Sequence, residues 1–183
     1  TKFKTMILGL DVSTSITGAT ILDSDGKMVY NELWDTRNKN KFPTVIHKAK
    51  YVQNQLKAIK DTINMLPKAI YIEEPFTFFN SGGSSARTMA TLQRFNGIVS
   101  WICVDTFDII PELIMATTAR KTVGIKTVKG VKAKETSFDF VLANEPNFIV
   151  EYTKHGNPKP GMMDKSDSWV IAKAGYILCN QKN

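Results

Sequence analysis

The sequence predicts an α/β fold in which a mixed five-stranded sheet is flanked by helices. Three observations carry this: short apolar or β-branched runs follow one another directly near the start, two later runs are each preceded by a long stretch with helical spacing, and the last third is mainly helical. At 183 residues the chain is long enough for a substantial core and too short for two domains of ordinary size, so 1–183 is read as one domain.

Met6 to Leu10 is a short apolar run ending at Asp11, and Thr17 to Leu22 is a β-branched run closed by the turn signal Asp23-Ser24-Asp25-Gly26. A third strand over Met28 to Trp34 completes a meander. After the polar, basic segment Asp35 to Lys41, Pro43 opens a stretch with apolar residues at Val45, Ile46, Ala49, Val52, Leu56, Ile59 and Ile63, the spacing of a long amphipathic helix. Ala69 to Ile72 reads as a buried strand, which Glu73-Glu74-Pro75 must leave because proline cannot continue a central ladder.

Phe76 to Gly83 is a loop rich in Phe, Gly and Ser. Ser84 to Val104 is helical and becomes apolar nearly all round at Ile98, Val99, Trp101, Ile102 and Cys103, which predicts cover on two sides, by the sheet and by a partner subunit. Phe107 to Ile110 is read as a further strand ended by Pro111. Lys126, Lys129, Lys132 and Lys134 precede a helix to about Ala143. A loop with Pro146, Gly156, Pro158, Pro160 and Gly161 then leads to a final helix from Asp164, giving the order βββ-α-β-α-β-α-α. There is no internal repeat or low-complexity tract.

Lys and Arg number 24 against 17 Asp and Glu, a net charge of +7. That balance favours a polyanionic partner, most commonly nucleic acid, although a lysine surplus for solubility alone gives the same count. The two cysteines, Cys103 and Cys179, have neither the density of a disulfide framework nor zinc-site spacing, which points to a reducing cytoplasmic setting. The first apolar run stops at Asp11 and Ile98 to Val104 is too short for a bilayer, so no export or membrane segment is expected.

Four carboxylates carry the chemistry: Asp11 and Glu73 at strand ends, and Asp164 with Asp167 opening the last helix. A spacing of three places the last pair on one helix face, and a position in the first turn would favour their ionised forms. Such a cluster in a partly desolvated site needs a cation, and all-oxygen ligation suits Mg²⁺ or Mn²⁺. Each acid alone has a plainer role: Asp11 as a turn residue, Asp164 as an N-cap, Asp167 as a first-turn acid. Glu73 is harder to place otherwise, because an ionisable group ending a buried strand is costly unless paired.

Ile7-Leu8-Gly9-Leu10-Asp11 with Ser13, Thr17 and Gly18, then Ile72-Glu73 followed by Phe76, then Asp164-Lys165-Ser166-Asp167-Ser168-Trp169-Val170-Ile171-Ala172 resemble the three acidic motifs of RuvC-type Holliday junction resolvases. The order and separation match along almost the whole chain, and its short, lysine-rich form looks more like phage or viral members than bacterial ones. The resemblance implies a ribonuclease-H-like fold, a homodimer, and cleavage of four-way DNA junctions by paired nicks with two metal ions. On it, Asp11 would bridge both ions, Glu73 would bind one, and Asp164 and Asp167 the other. Glu73 is preferred to Glu74 because it directly follows Ile72, as the family's glutamate follows an Ile.

Phe76 matches an aromatic that the family uses to wedge open the junction, while a core position for Phe76, Phe78 or Phe79 is the plainer alternative. Lys134 resembles a lysine near the scissile phosphate, and Arg120 or Lys121 a second basic residue. Lys126, Lys129, Lys132 and Lys134 would contact DNA backbone, or else form a solvated face. The segment from Glu145 to Met163 looks longer than in bacterial members, and Phe148 to Tyr152 is read as an added strand.

Sugar-kinase or chaperone-type ATPases also begin with a strand ending in Asp near a Thr-Gly pair, but they need two such domains. A ribonuclease H takes its second carboxylate from a helix, whereas Glu73 follows a strand. A broader flap or fork nuclease, and a branched-DNA-binding module without chemistry, remain open alternatives.

Overall fold

The computed structural model describes residues 6–63, 66–75 and 85–181. Strands β1 (Met6–Asp11), β2 (Ile16–Leu22), β3 (Met28–Asp35), β4 (Pro67–Glu73) and β5 (Glu112–Ile114) form one sheet in the order β3-β2-β1-β4-β5. The first three make an antiparallel meander, and β4 and β5 add in parallel to β1. This is the mixed five-stranded sheet that the sequence predicts. Parallel neighbours need crossovers, which α1 (Val45–Ile63) and α2 (Ala86–Phe107) supply.

Helices α1 and α2 cover one face, where Val52, Leu56, Phe95 and Val99 meet Leu8, Leu10, Ile70 and Ile72. On the other face α5 (Met162–Gln181) lies against β1, β2 and β4, with α3 (Ala116–Val123) and α4 (Ala133–Asn144) packed onto it. A side chain at Gly9 would collide with the backbone of Ala172, so glycine lets α5 rest directly on β1. The period-two alternation of a strand sorts the residues: Leu8, Leu10, Ile70 and Ile72 face α1 and α2, while Ile7 and Tyr71 join the α5 cluster. Asp11 and Glu73 share the parity of Ile7 and Tyr71, and so lie toward α5.

Four expectations are corrected. Phe107 to Ile110 is not a strand: Thr106 and Phe107 continue the buried stripe of Val99, Ile102 and Cys103, and α2 runs on until Asp108 caps it in the left-handed region (φ 56°). The strand starts after Pro111, at the sheet edge, where a residue without an N–H does no harm. Residues 116–123 form a helix that the pattern concealed, being short, threonine-rich and buried at Ala119 alone. Phe148 to Tyr152 adds no strand; a single bridge joins Tyr152 to Pro158.

Finally, α5 begins at Met162, with the Lys165 N–H donating to the Gly161 carbonyl, so Asp164 is the third helical residue rather than an N-cap and Asp167 lies in the second turn. The two-sided cover of α2 is met on the sheet side, where Val99, Ile102 and Cys103 are buried, while Trp101 is 68% exposed. The loop from Phe76 to Gly83, with Phe76, Phe78 and Phe79, lies outside the described residues. Among those residues no helix is long and apolar enough to cross a membrane.

Candidate metal centre

Asp11 ends β1 opposite Gly18 of β2. The turn between them is closed locally: Ser13 Oγ accepts the N–H groups of Ser15 (3.0 Å) and Ile16 (3.2 Å), and the Thr17 hydroxyl donates to the Ser13 carbonyl (3.2 Å). A side chain at Gly18 would strike the Asp164 carbonyl, so this glycine lets the start of α5 settle beside the turn. Glu73 ends β4, and Asn96 of α2, itself buried, donates from Nδ2 to its carbonyl (3.2 Å).

Asp167 is set by a polar network within the core. The hydroxyls of Ser168 and Thr20 lie 2.7 Å apart, Ser168 Oγ donates to the Lys165 carbonyl (2.8 Å), and Asn31 Nδ2 donates to Thr20 Oγ1 (2.7 Å) and the Lys165 carbonyl (3.2 Å). These bonds fix the second turn of α5 against β2 and β3, which aims Asp167 toward Asp11 and Glu73.

One carboxylate oxygen from each of Asp11, Glu73 and Asp167 lies within 4.8 Å of the others. Asp11 and Asp167 are 7% and 5% exposed, and Asp11 Oδ2 is buried without a hydrogen-bond partner among the described residues. Burial, with Glu73 and Asp167 as neighbouring charges, holds Asp11 well above the usual carboxylate range. Burial and then Asp167 push Glu73 up to about 7. Burial raises Asp167 too, against the pull of Lys134 and Arg120.

Lys134 stands at the start of α4, with Nζ 3.1 Å from Asp164 Oδ1 and 3.4 Å from Asp167 Oδ2. Partial burial opposes its charge, but Asp11, Asp164 and Asp167 outweigh that and hold the ammonium above its ordinary range. Lys134 and Arg120 offset the four acids only in part. Hard oxygen donors, a proton-retaining Glu73 and an orphaned Asp11 oxygen together fit a divalent cation. Asp11, Glu73 and Asp167 supply the converging oxygens, and Asp164 stands outside that group, linked to it through Lys134.

Arg120 comes from α3, donates from Nε to Ser137 Oγ (3.2 Å), and lowers the proton affinity of both Glu73 and Asp167. Lys121 and Lys126 share a surface groove with Arg120 at the end of that helix. Lys129 and Lys132 are exposed on the connection to α4, and among the described residues form no ion pair with the carboxylates. Asn96 and the Thr20, Asn31 and Ser168 network were missed by sequence reasoning. For Thr20, Asn96 and Ser168 the signal was present as polar side chains among buried neighbours; Asn31, on the half-exposed β3, gave none.

No family model matches the sequence, and no curated protein does. Solved structures do. A Thermus thermophilus RuvC in complex with a Holliday junction substrate superposes with a TM-score of 0.65 at 12% identity, over 97% of this chain and 96% of that one. A second T. thermophilus RuvC structure gives 0.65 at 14% identity over the same shares. The yeast mitochondrial Holliday junction resolvase Ydc2 gives 0.55 at 12% identity, over 96% of this chain and 80% of that one. At such identities the likeness establishes architecture: the chain has the ribonuclease-H-like fold of RuvC.

Proposed function

We propose that the chain is a divalent-metal-dependent, structure-selective endodeoxyribonuclease that resolves Holliday junctions by paired phosphodiester hydrolysis. The observation that carries this reading is the convergence of Asp11, Glu73 and Asp167, with an Asp11 oxygen left unpartnered, in a fold shared with a RuvC structure that holds a junction substrate. Asp11, Glu73 and Asp167 would hold two Mg²⁺ or Mn²⁺ ions, with Asp164 as a fourth carboxylate. Ions bound there supply Lewis-acid activation of water and stabilise the leaving 3′ oxygen.

The remaining residues serve the substrate. Lys134, already beside the carboxylates, is placed to exchange Asp164 for a phosphodiester oxygen, and Arg120, braced by Ser137, offers a second cation. Lys121, Lys126, Lys129 and Lys132 extend the basic surface along which DNA backbone would lie, positioning it without reading sequence. Phe76 is the proposed wedge at the branch point.

A four-way junction needs two cuts, so an isologous homodimer suits it. Trp101 on α2 is largely exposed, and Gly97, one turn before it, faces open space, which together offer a second copy a face that has no partner among the described residues. Such work belongs in the cell interior, the host's if the gene is viral.

Incubation with a synthetic four-way junction, a fork and linear duplex, with and without Mg²⁺, tests the reading. Metal-dependent paired nicks in the junction are expected. Equal cutting of forks would move the assignment to a flap or fork nuclease, and junction binding without nicking would leave a non-catalytic module.

A further inference from the structure

The connection from α4 to α5 stays outside the sheet yet is tightly built. The Lys159 N–H donates to the Glu151 carbonyl (2.8 Å), the Thr153 N–H to the Asn157 carbonyl (2.8 Å), and the Gly156 N–H to the Thr153 carbonyl (3.0 Å), while Tyr152 pairs with Pro158. Gly156 has φ 79°, so a tight turn followed by a left-handed residue closes the tip, the pattern of a short hairpin loop. Pro158 and Pro160 restrict the returning arm further.

The hairpin is bound to the helix that carries the acids. Phe148 is buried at its root, and the Glu151 N–H meets Met162 Sδ (3.4 Å). Lys165 is 8% exposed, donates from Nζ to the Ile149 carbonyl (3.1 Å) and lies over the Phe148 ring (5.7 Å to its centroid). Because Lys165 falls between Asp164 and Asp167, one helical segment fixes both the carboxylates and the hairpin.

The hairpin also stands at the right end of the sheet. A side chain at Gly161 would press on Leu33 and Ile16, which lie at the end where β1 delivers Asp11. It thus flanks the carboxylates on the β3 side, whereas Arg120 reaches them from α3, which follows the opposite edge strand β5. At the tip Tyr152 is 54% exposed and Lys154 and His155 are exposed; Lys159 is paired with Glu151, but Lys154 has no ion-pair partner among the described residues.

From this placement we infer that hairpin 151–159 is a second nucleic-acid contact, gripping the DNA strand that enters the site from the β3 side. Lys154 meets a phosphate, and Tyr152 stacks on a base or sugar exposed at the branch. A stiff arm tied to the metal-binding helix holds that strand in fixed relation to the carboxylates. The inference rests on the DNA-cleaving reading above.

The test compares the full chain with a Tyr152→Ala/Lys154→Ala/His155→Ala variant in EDTA, measuring affinity for a synthetic four-way junction across a salt series. Affinity should fall about tenfold, and the slope of log affinity on log salt should become shallower by about one. Lys154→Glu alone should weaken binding more than Lys154→Ala, a difference that a merely structural tip would not produce, and equal melting midpoints confirm that the variants fold. An unchanged affinity and slope in a chain that does bind junctions would overturn the arm alone. Absence of junction binding by the parent would overturn the DNA-cleaving reading and the arm with it.

Discussion

Asp11 and Glu73 end strands on the same sheet face, and Asp167 meets them from a helix, so three like charges share a site that burial has partly dried. Asp11→Asn or Asp167→Asn should lower junction cleavage by roughly a thousandfold or more, while junction binding holds or tightens because the removed charge opposes phosphate. Equal loss of binding and cleavage would indicate a folding defect instead. Glu73 gives a second expectation. Its carboxyl is pushed up to about 7 from an ordinary 4.5, so between those values the folded protein keeps a proton that the unfolded chain has released. Stability of the metal-free protein therefore falls as pH rises through this window, by on the order of 3 kcal/mol. Calorimetry in EDTA at pH 5.5 and 7.5 spans the upper part of this window and should show about 2 kcal/mol of that loss in the parent and a smaller one in Glu73→Gln; the same loss in both would remove Glu73 as the cause. Asp11 and Glu73 were legible because strand-ending carboxylates interrupt apolar runs, and Asp167 through its spacing of three from Asp164. The pairing of Lys134 with Asp164 was not, since it joins residues on different helices.

At the scale of elements, the strong periodicities were readable and the weak ones were not. The apolar stripe of α1 and the short apolar run of β4 announce themselves, whereas α3 buries one alanine and β5 spans three residues paired on one side. Helix α5 shows what periodicity hides: its buried Ser168 looks unfavourable in a core until the sheet brings Thr20, itself held by Asn31, opposite it, while Ser166 donates to the Met163 carbonyl of its own helix. Ser168→Ala should cost about 1 to 3 kcal/mol by leaving Thr20 with an unmet partner, and should weaken divalent-ion binding by loosening Asp167. Thermal melting with and without Mn²⁺ reads both effects. Destabilisation with unaltered ion affinity would show that the network holds the fold but not the site.

For the whole molecule, a mixed five-stranded sheet followed from the pattern of runs and crossovers, because a meander followed by two helix-linked strands permits few sheets, whereas the order β3-β2-β1-β4-β5 was not read from it. What the pattern could not supply was the register that places Asp11 and Glu73 toward α5, or the hairpin closed by backbone bonds beside them. The exposed Trp101 face predicts a dimer at micromolar concentration by sedimentation, and Trp101→Glu should make it monomeric; a monomeric parent would remove that assembly. The account as a whole depends on the carboxylates being held apart for a cation. A calorimetric titration of Mn²⁺ into the parent and into Asp11→Asn tests this directly: saturable binding in the parent, lost in the variant, is the predicted result, and a parent that binds no Mn²⁺, or a variant that binds it equally, would contradict it.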